Sequence, residues 1–230
     1  REAKAAPQSV EESAVAGRLD LRDRVMITID GASSKDLDDA VSLERDGLGR
    51  WVLGVHIADV SHYVRPGSAL DLEAWERGTS VYFADQVVPM LPRELSNGIC
   101  SLNPRVDRLA LSGVMTLTPE GEVVDHTIAK SVIRTTERMT YEDCNALLAH
   151  SDPALAERYA RILPMLEDMA ALSRVLEGRR RRRGALELDT RESYVVCDES
   201  GTPVDVVLRT PGISEGLIES FMLAANECVA

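Results

Sequence analysis

A basic excess, paired cysteines and long apolar runs are all missing from this 230-residue chain. Lysine and arginine number 26 against 38 aspartates and glutamates, a net charge of −12. The composition therefore carries no overall basic footprint of the kind that phosphate backbones attract. Net charge does not say where the charges sit, and a metal site must itself concentrate carboxylates. The cysteines Cys100, Cys144, Cys197 and Cys228 form no CxxC pair. Their wide spacing excludes a zinc framework or a disulfide-stapled secreted module and implies reduced, partly buried thiols. No apolar stretch approaches the roughly 18–20 residues of a membrane span, and REAKAAPQSVEESAVAGR lacks the apolar centre of a secretory signal. The expectation is a cytoplasmic protein with no membrane partner. A 44% hydrophobic and 28% charged composition is ordinary for a globular domain, and the length suffices for a sizeable core.

Along the chain, residues 1–20 are rich in Ala, Glu and Ser and read as a lead-in or linker; 21–230 read as the domain proper. RVMITI (24–29) predicts a strand ending on Asp30, and the segments 40–44 and 51–60 flank Asp46–Gly49 as a hairpin. Ser68 is placed to cap a helix over 69–77. The stretch 81–102 reads as irregular, and a second hairpin spans 109–118 and 122–133. Thr140 and Asp143 predict a capped helix start; Asp152–Pro153 predict a longer helix ending near Gly178 and kinked or divided at Pro164. Strands are expected near 185–189, 193–197 and 203–209, and then a helix over 214–229. That helix carries an apolar stripe of Leu217, Ile218, Phe221, Met222, Ala225 and Val229, which still runs where the sequence stops and implies continuation beyond it. Trp51 and Trp75 read as packing residues, and His56, inside an apolar strand, as a buried structural histidine.

The stretch from Ile29 to Ala40, IDGASSKDLDDA, holds four aspartates within ten residues: Asp30, Asp36, Asp38 and Asp39. Their mutual repulsion calls for a compensating cation. A turn that gathers several carboxylates offers hard oxygen ligands suited to Mg²⁺ or Mn²⁺. A Ca²⁺ loop and an inert solvated turn are the alternatives; the D-x-D-G pattern and distal Glu of an EF-hand are both missing, which counts against Ca²⁺.

TIDGASSKDLDDAVSL closely resembles the signature of the ribonuclease II / ribonuclease R family. GVHIADVSHYV (54–64), VPMLPRELSNGICSLNP (88–104) and GLIESFMLAANECVA (216–230) are similar to further blocks of that family, in its order. The resemblance implies an RNB-type catalytic domain, α/β of the α+β kind, with a mixed, largely antiparallel curved sheet and packed helices. It implies a 3′→5′ exoribonuclease that takes the 3′ end of single-stranded RNA and releases nucleoside 5′-monophosphates. It implies that Asp30, Asp36, Asp38 and Asp39 hold Mg²⁺ and that Tyr82, Tyr141 and Glu219 contact RNA, with Glu215 the alternative to Glu219. Leu188 aligns where relatives often carry a phenylalanine that clamps the terminal base. A downstream arginine block of the family, and the cold-shock-like and S1-like domains that accompany it, have no counterpart in these residues, so the catalytic domain is expected to be incomplete. Arg179–Arg183 is open to two readings, an RNA contact or a solvated helix end. Two rival functions remain at this point: an RNA-binding homologue without turnover, and a Mg²⁺-dependent phosphohydrolase acting on small phosphate esters.

Overall fold

The computed structural model describes residues 2–84, 86–186, 192–198 and 200–230. Two short helices, α1 (Glu2–Ala5) and α2 (Glu12–Val15), lead into β1 (Leu19–Asp20). Strands β2 (Ile27–Asp30), β3 (Asp39–Arg45) and β4 (Trp51–Ala58) follow, then helices α3 (Val60–Tyr63) and α4 (Ala69–Arg77). A small pair, β5 (Val81–Tyr82) and β6 (Val87–Val88), precedes the long hairpin β7 (Asp107–Leu117) and β8 (Val123–Arg134). Strand β9 (Glu137–Thr140) passes directly into α5 (Tyr141–Leu148), followed by α6 (Pro153–Arg158) and α7 (Leu163–Arg182). The hairpin β10 (Glu192–Cys197) and β11 (Pro203–Arg209) and helix α8 (Ile213–Val229) complete the order.

A seven-stranded sheet has the order β1-β8-β7-β4-β3-β2-β9. Its inner pairs are antiparallel, and the outermost pairs, β1 with β8 and β2 with β9, are parallel. This is the mixed, largely antiparallel sheet with packed helices that the sequence implies. Alternation along each strand sorts the side chains between two faces. Val41, Leu43, Leu53 and Val55 bury against Leu166 and Met169 of α7 and Leu217 and Phe221 of α8. Ala40, Ala58, Ala110 and Ile133 pack with Leu37 and Leu102 in a separate cluster. His56 is fully buried and bonded on both ring nitrogens, to Ser42 Oγ at 3.1 Å and Ser112 Oγ at 2.7 Å.

Several local expectations change. The helix expected over 152–178 is divided near Pro164 as expected, but the break comes before the proline, which sits in the first turn of α7 where its missing N–H costs nothing. Helix α7 runs past Gly178 to Arg182, since a glycine costs a helix only about 1 kcal/mol and Arg181 pairs with Glu177 at 2.8 Å. The stretch 81–102 contains the β5–β6 pair and a wide helical turn, Leu95–Ile99. Trp51 is buried beneath the Arg45 guanidinium, but Trp75 is 86% exposed on a helix that buries none of its residues. Val229 is exposed, so the α8 stripe ends before it. Ala185 and Leu186 are not in a strand, and 187–189 lie outside the described residues. The lead-in packs on the body: Ala3 joins Leu95 and Ile99, and Arg18 pairs with Asp59 at 2.6 Å with both side chains nearly buried. Among the described residues, no helix is long and apolar enough to cross a membrane.

Candidate active site

Strand β2 finishes at Asp30 and β3 starts at Asp39, so the intervening loop lies at one end of the sheet. Parallel pairing of β2 with β9 sets Asp30 opposite Thr140, and α5 therefore begins at that same end with Tyr141 beside the loop. The loop is pinned along its length. Arg138 Nη2 donates to Ser34 O at 2.7 Å and Ala32 O at 2.9 Å. Ser101 Oγ accepts from Leu37 N at 3.1 Å and donates to Lys35 O at 2.9 Å, while Ala58 N donates to Asp38 O at 2.9 Å.

A cavity of about 940 Å³ opens at this end of the sheet, and all four aspartates of the loop line it. Tyr82, Tyr141, Glu142, Asn145, Tyr194 and Glu215 line it too. Tyr82 donates its hydroxyl to Asp36 Oδ2 at 3.2 Å. Burial, then the neighbouring charge of Asp39, pushes the Asp30 carboxyl up to about 7, with Arg138 opposing the rise. Burial, with Asp36 and Asp39 close by, raises Asp38 to about 6, and burial also raises Asp39. Glu215 stays below the usual carboxylate range against its own desolvation, because Asn145 Nδ2 (3.2 Å) and Gly212 N (2.9 Å) donate to it.

These residues suit a hard divalent cation. The donors are carboxylate oxygens, as Mg²⁺ and Mn²⁺ prefer. The buried Asp30 Oδ2 has no hydrogen-bond partner, and burial together with neighbouring carboxylates raises Asp30 and Asp38, as crowded like charges do. Among the described residues no three His, Cys, Asp or Glu side chains are gathered closely enough to hold an ion as they stand, so binding would have to draw the carboxylates together.

Residues 18–230 match the RNB domain family. The chain belongs to that family. Among curated RNB relatives, ribonuclease R 1 of Lactococcus lactis is 54% identical over 229 residues, covering 100% of this chain and 28% of its own length. Ribonuclease R of Thermotoga maritima is 49% identical over 231 residues, with 100% and 32% covered. A solved structure of Mycoplasma genitalium RNase R with ribose-methylated single-stranded RNA is 32% identical, with a TM-score of 0.91, covering 99% of this chain and 35% of that one. The chain thus spans about 30% of the length of the curated RNB relatives it matches.

Within this RNB chain, the sequence-derived residues fall in three groups. Asp30, Asp36, Asp38, Asp39, Tyr82 and Tyr141 share one cavity. Glu219 does not line it; its exposed carboxylate stands 3.5 Å from Arg180. It lies four positions after Glu215, about 6 Å along a helix axis, and Glu215 is the one that reaches the cavity. Leu188 lies outside the described residues. Arg138, Ser101, Asn145 and Tyr194 escaped sequence reasoning. Arg138 carried no local signal beyond its place two residues before the Thr140 cap. Arg180, Arg181 and Arg183 of the arginine run engage Glu219, Glu177 and Glu227.

Proposed function

We propose that this chain is the catalytic domain of a 3′→5′ exoribonuclease that degrades RNA processively to nucleoside 5′-monophosphates. The observation that carries the reading is the gathering of Asp30, Asp36, Asp38 and Asp39 on one cavity wall together with Tyr82 and Tyr141. The aspartates would hold Mg²⁺, or Mn²⁺, through carboxylate oxygens. A cation so held supplies Lewis acidity toward a phosphoryl oxygen and toward water. Tyr141 and Tyr82 offer ring faces to a 3′-terminal base, a contact that tolerates any sequence. Glu215, bound by Asn145 and the Gly212 amide, keeps its charge and is placed to accept hydrogen bonds from ribose hydroxyls. Glu219, beside Arg180, would contact RNA outside the cavity, and Leu188, standing where relatives often carry a phenylalanine, would pack against the terminal base less well than a ring stacks.

The −12 charge is consistent with such a site, since the cations and accompanying domains would supply the positive potential for RNA. Cold-shock-like and S1-like domains in the full-length protein, and a cytoplasmic location, belong to the same reading. The relatives named ribonuclease R, one of them solved with single-stranded RNA, favour RNA over a small phosphate ester.

The test uses the full-length protein and its Asp38→Asn variant on 5′-labelled single-stranded RNA with Mg²⁺ and an EDTA control. Progressive shortening from the 3′ end by the parent, with a variant that binds and does not cut, supports the reading. Equal cutting by both removes the aspartates from the chemistry. Binding without cutting by either points to the non-catalytic homologue, and turnover of p-nitrophenyl phosphate but not RNA points to the small-ester enzyme.

A further inference from the structure

Arg138 lies on β9 opposite Thr28 of β2 and does not itself line the acidic cavity. Its Nη2 contacts three carbonyls of the loop backbone: Ser34 O at 2.7 Å, Ala32 O at 2.9 Å and Gly31 O at 3.4 Å. One terminal guanidinium nitrogen carries two hydrogens, so the two short contacts are full hydrogen bonds and the third is a dipolar contact.

The loop tip has little else to hold it. Ala32 and Ser33 are exposed, so no apolar burial anchors the tip, and the next anchor along the loop is Ser101 Oγ on Lys35 O. A turn bond within it runs from Ser34 N to Gly31 O at 3.0 Å. Beyond the tip the situation reverses: Leu37 is buried, and Ser101 and Leu102 fix the backbone around it. Arg138 is therefore the tether for the part of the loop between Asp30 and the other three aspartates.

We infer that Arg138 is a positioning residue for the acidic site: by holding the 31–34 backbone, it sets the spacing between Asp30 and the Asp36, Asp38 and Asp39 group. The inference rests on the metal reading above. It concerns the reach of the side chain and not its charge alone, because all three contacts come from Nη2, which lies one atom further from the backbone than a lysine ammonium.

The experiment compares the full-length protein with its Arg138→Met and Arg138→Lys variants. Mn²⁺ binding is followed without RNA by the electron paramagnetic resonance signal of the free ion, and amide exchange is followed at 31–35, with β7 and β8 as the fold control. The expected result is Mn²⁺ affinity weakened by about 10–100-fold in Arg138→Met, the usual effect of losing a group that orients metal ligands. Exchange at 31–35 should accelerate while β7 and β8 stay protected, and Arg138→Lys should recover only a minor part of the affinity. Wild-type affinity and loop exchange in both variants would overturn the inference, as would full recovery of affinity by Arg138→Lys while the loop still exchanges fast. Should Arg138→Met lose protection in β7 and β8, Arg138→Lys decides by the same criteria. A wild-type protein that binds no Mn²⁺ removes the metal reading and this inference with it, whereas binding that is equal in all three proteins removes this inference alone.

Discussion

Asp30 and Thr140 are register partners in the parallel strands β2 and β9. That pairing joins the acidic loop to the start of α5. Thr140 also caps the helix, its Oγ1 accepting from Asp143 N at 3.0 Å, so one residue fixes both the strand register and the placement of Tyr141. Thr140→Ala is expected to cost about 1 kcal/mol, a Tm fall of about 2–4 °C for a chain of this size. Thr140→Ser, which keeps the acceptor, should retain most of the stability. Thermal melts of the two variants check this; equal Tm values would remove the cap from the account.

Arg18 and Asp59 form an ion pair at 2.6 Å with side chains only 7% and 4% exposed. Against a desolvation that would raise it, hydrogen bonds from Arg18 and Ser61 hold the Asp59 carboxyl below its ordinary value. Its contribution is therefore present above the unfolded-state value and is lost as pH falls through the folded one. Arg18→Met leaves Asp59, among the described residues, with Lys130 at 4.0 Å as its cationic partner. The expected cost is about 3 kcal/mol, read as a lower urea midpoint with an unchanged m-value. The same variant should free residues 2–17, seen as faster proteolysis ahead of Arg18.

How much of this was legible in the sequence depends on how local each cause is. The capped starts at Ser68 and Thr140, the two long hairpins and the acidic turn are written within a few residues, and the structure has them where the pattern places them. The sheet order is not local. Nothing near Ile27 names Glu137 as its partner, yet that pairing decides that Tyr141 meets Asp30. Arg138, Ser101 and Asn145 act through backbone carbonyls and amides of distant segments, and side-chain chemistry alone gives no sign of such targets. Glu215 and Glu219 differ only in azimuth and height on one helix, which spacing cannot rank until the helix is docked. Trp75 misled because size and hydrophobicity favour burial on average without assigning it.

Gly54 is a glycine for a reason the sheet supplies. A Cβ there would overlap the side chains of Ser42 and His56. Gly54→Ala should therefore break the Ser42–His56 bond and cost about 2 kcal/mol. Burial lowers His56 to about 3, so the unfolded chain takes up a proton below about 6.5 that the folded chain refuses. Stability from His56 is full above that pH and declines as pH falls from there toward 3. His56→Gln should flatten this acid-side slope in melts between pH 4 and pH 6.

Between pH 6 and 8 the raised carboxyls of the acidic loop impose the opposite slope. The folded-state values of Asp30, about 7, and Asp38, about 6, stand above the ordinary value near 3.9. The folded chain thus holds protons that the unfolded chain has released, and this contribution, complete at low pH, is lost as pH rises through 6 and 7. Without divalent ions, Tm should fall between pH 6 and 8 by about 2–4 °C, corresponding to on the order of 1 kcal/mol once solvent screening is allowed for. Mg²⁺ should reverse the fall, since a cation bound to the folded state alone replaces the missing protons as counter-charge. Asp38→Asn should melt higher than the parent at pH 8 in EDTA, respond little to Mg²⁺, and lose RNA cleavage by at least about 100-fold. A gain in metal-free stability coupled to a loss of activity separates a charge-crowded functional site from an inert acidic turn, where the substitution would leave melts and cleavage unchanged.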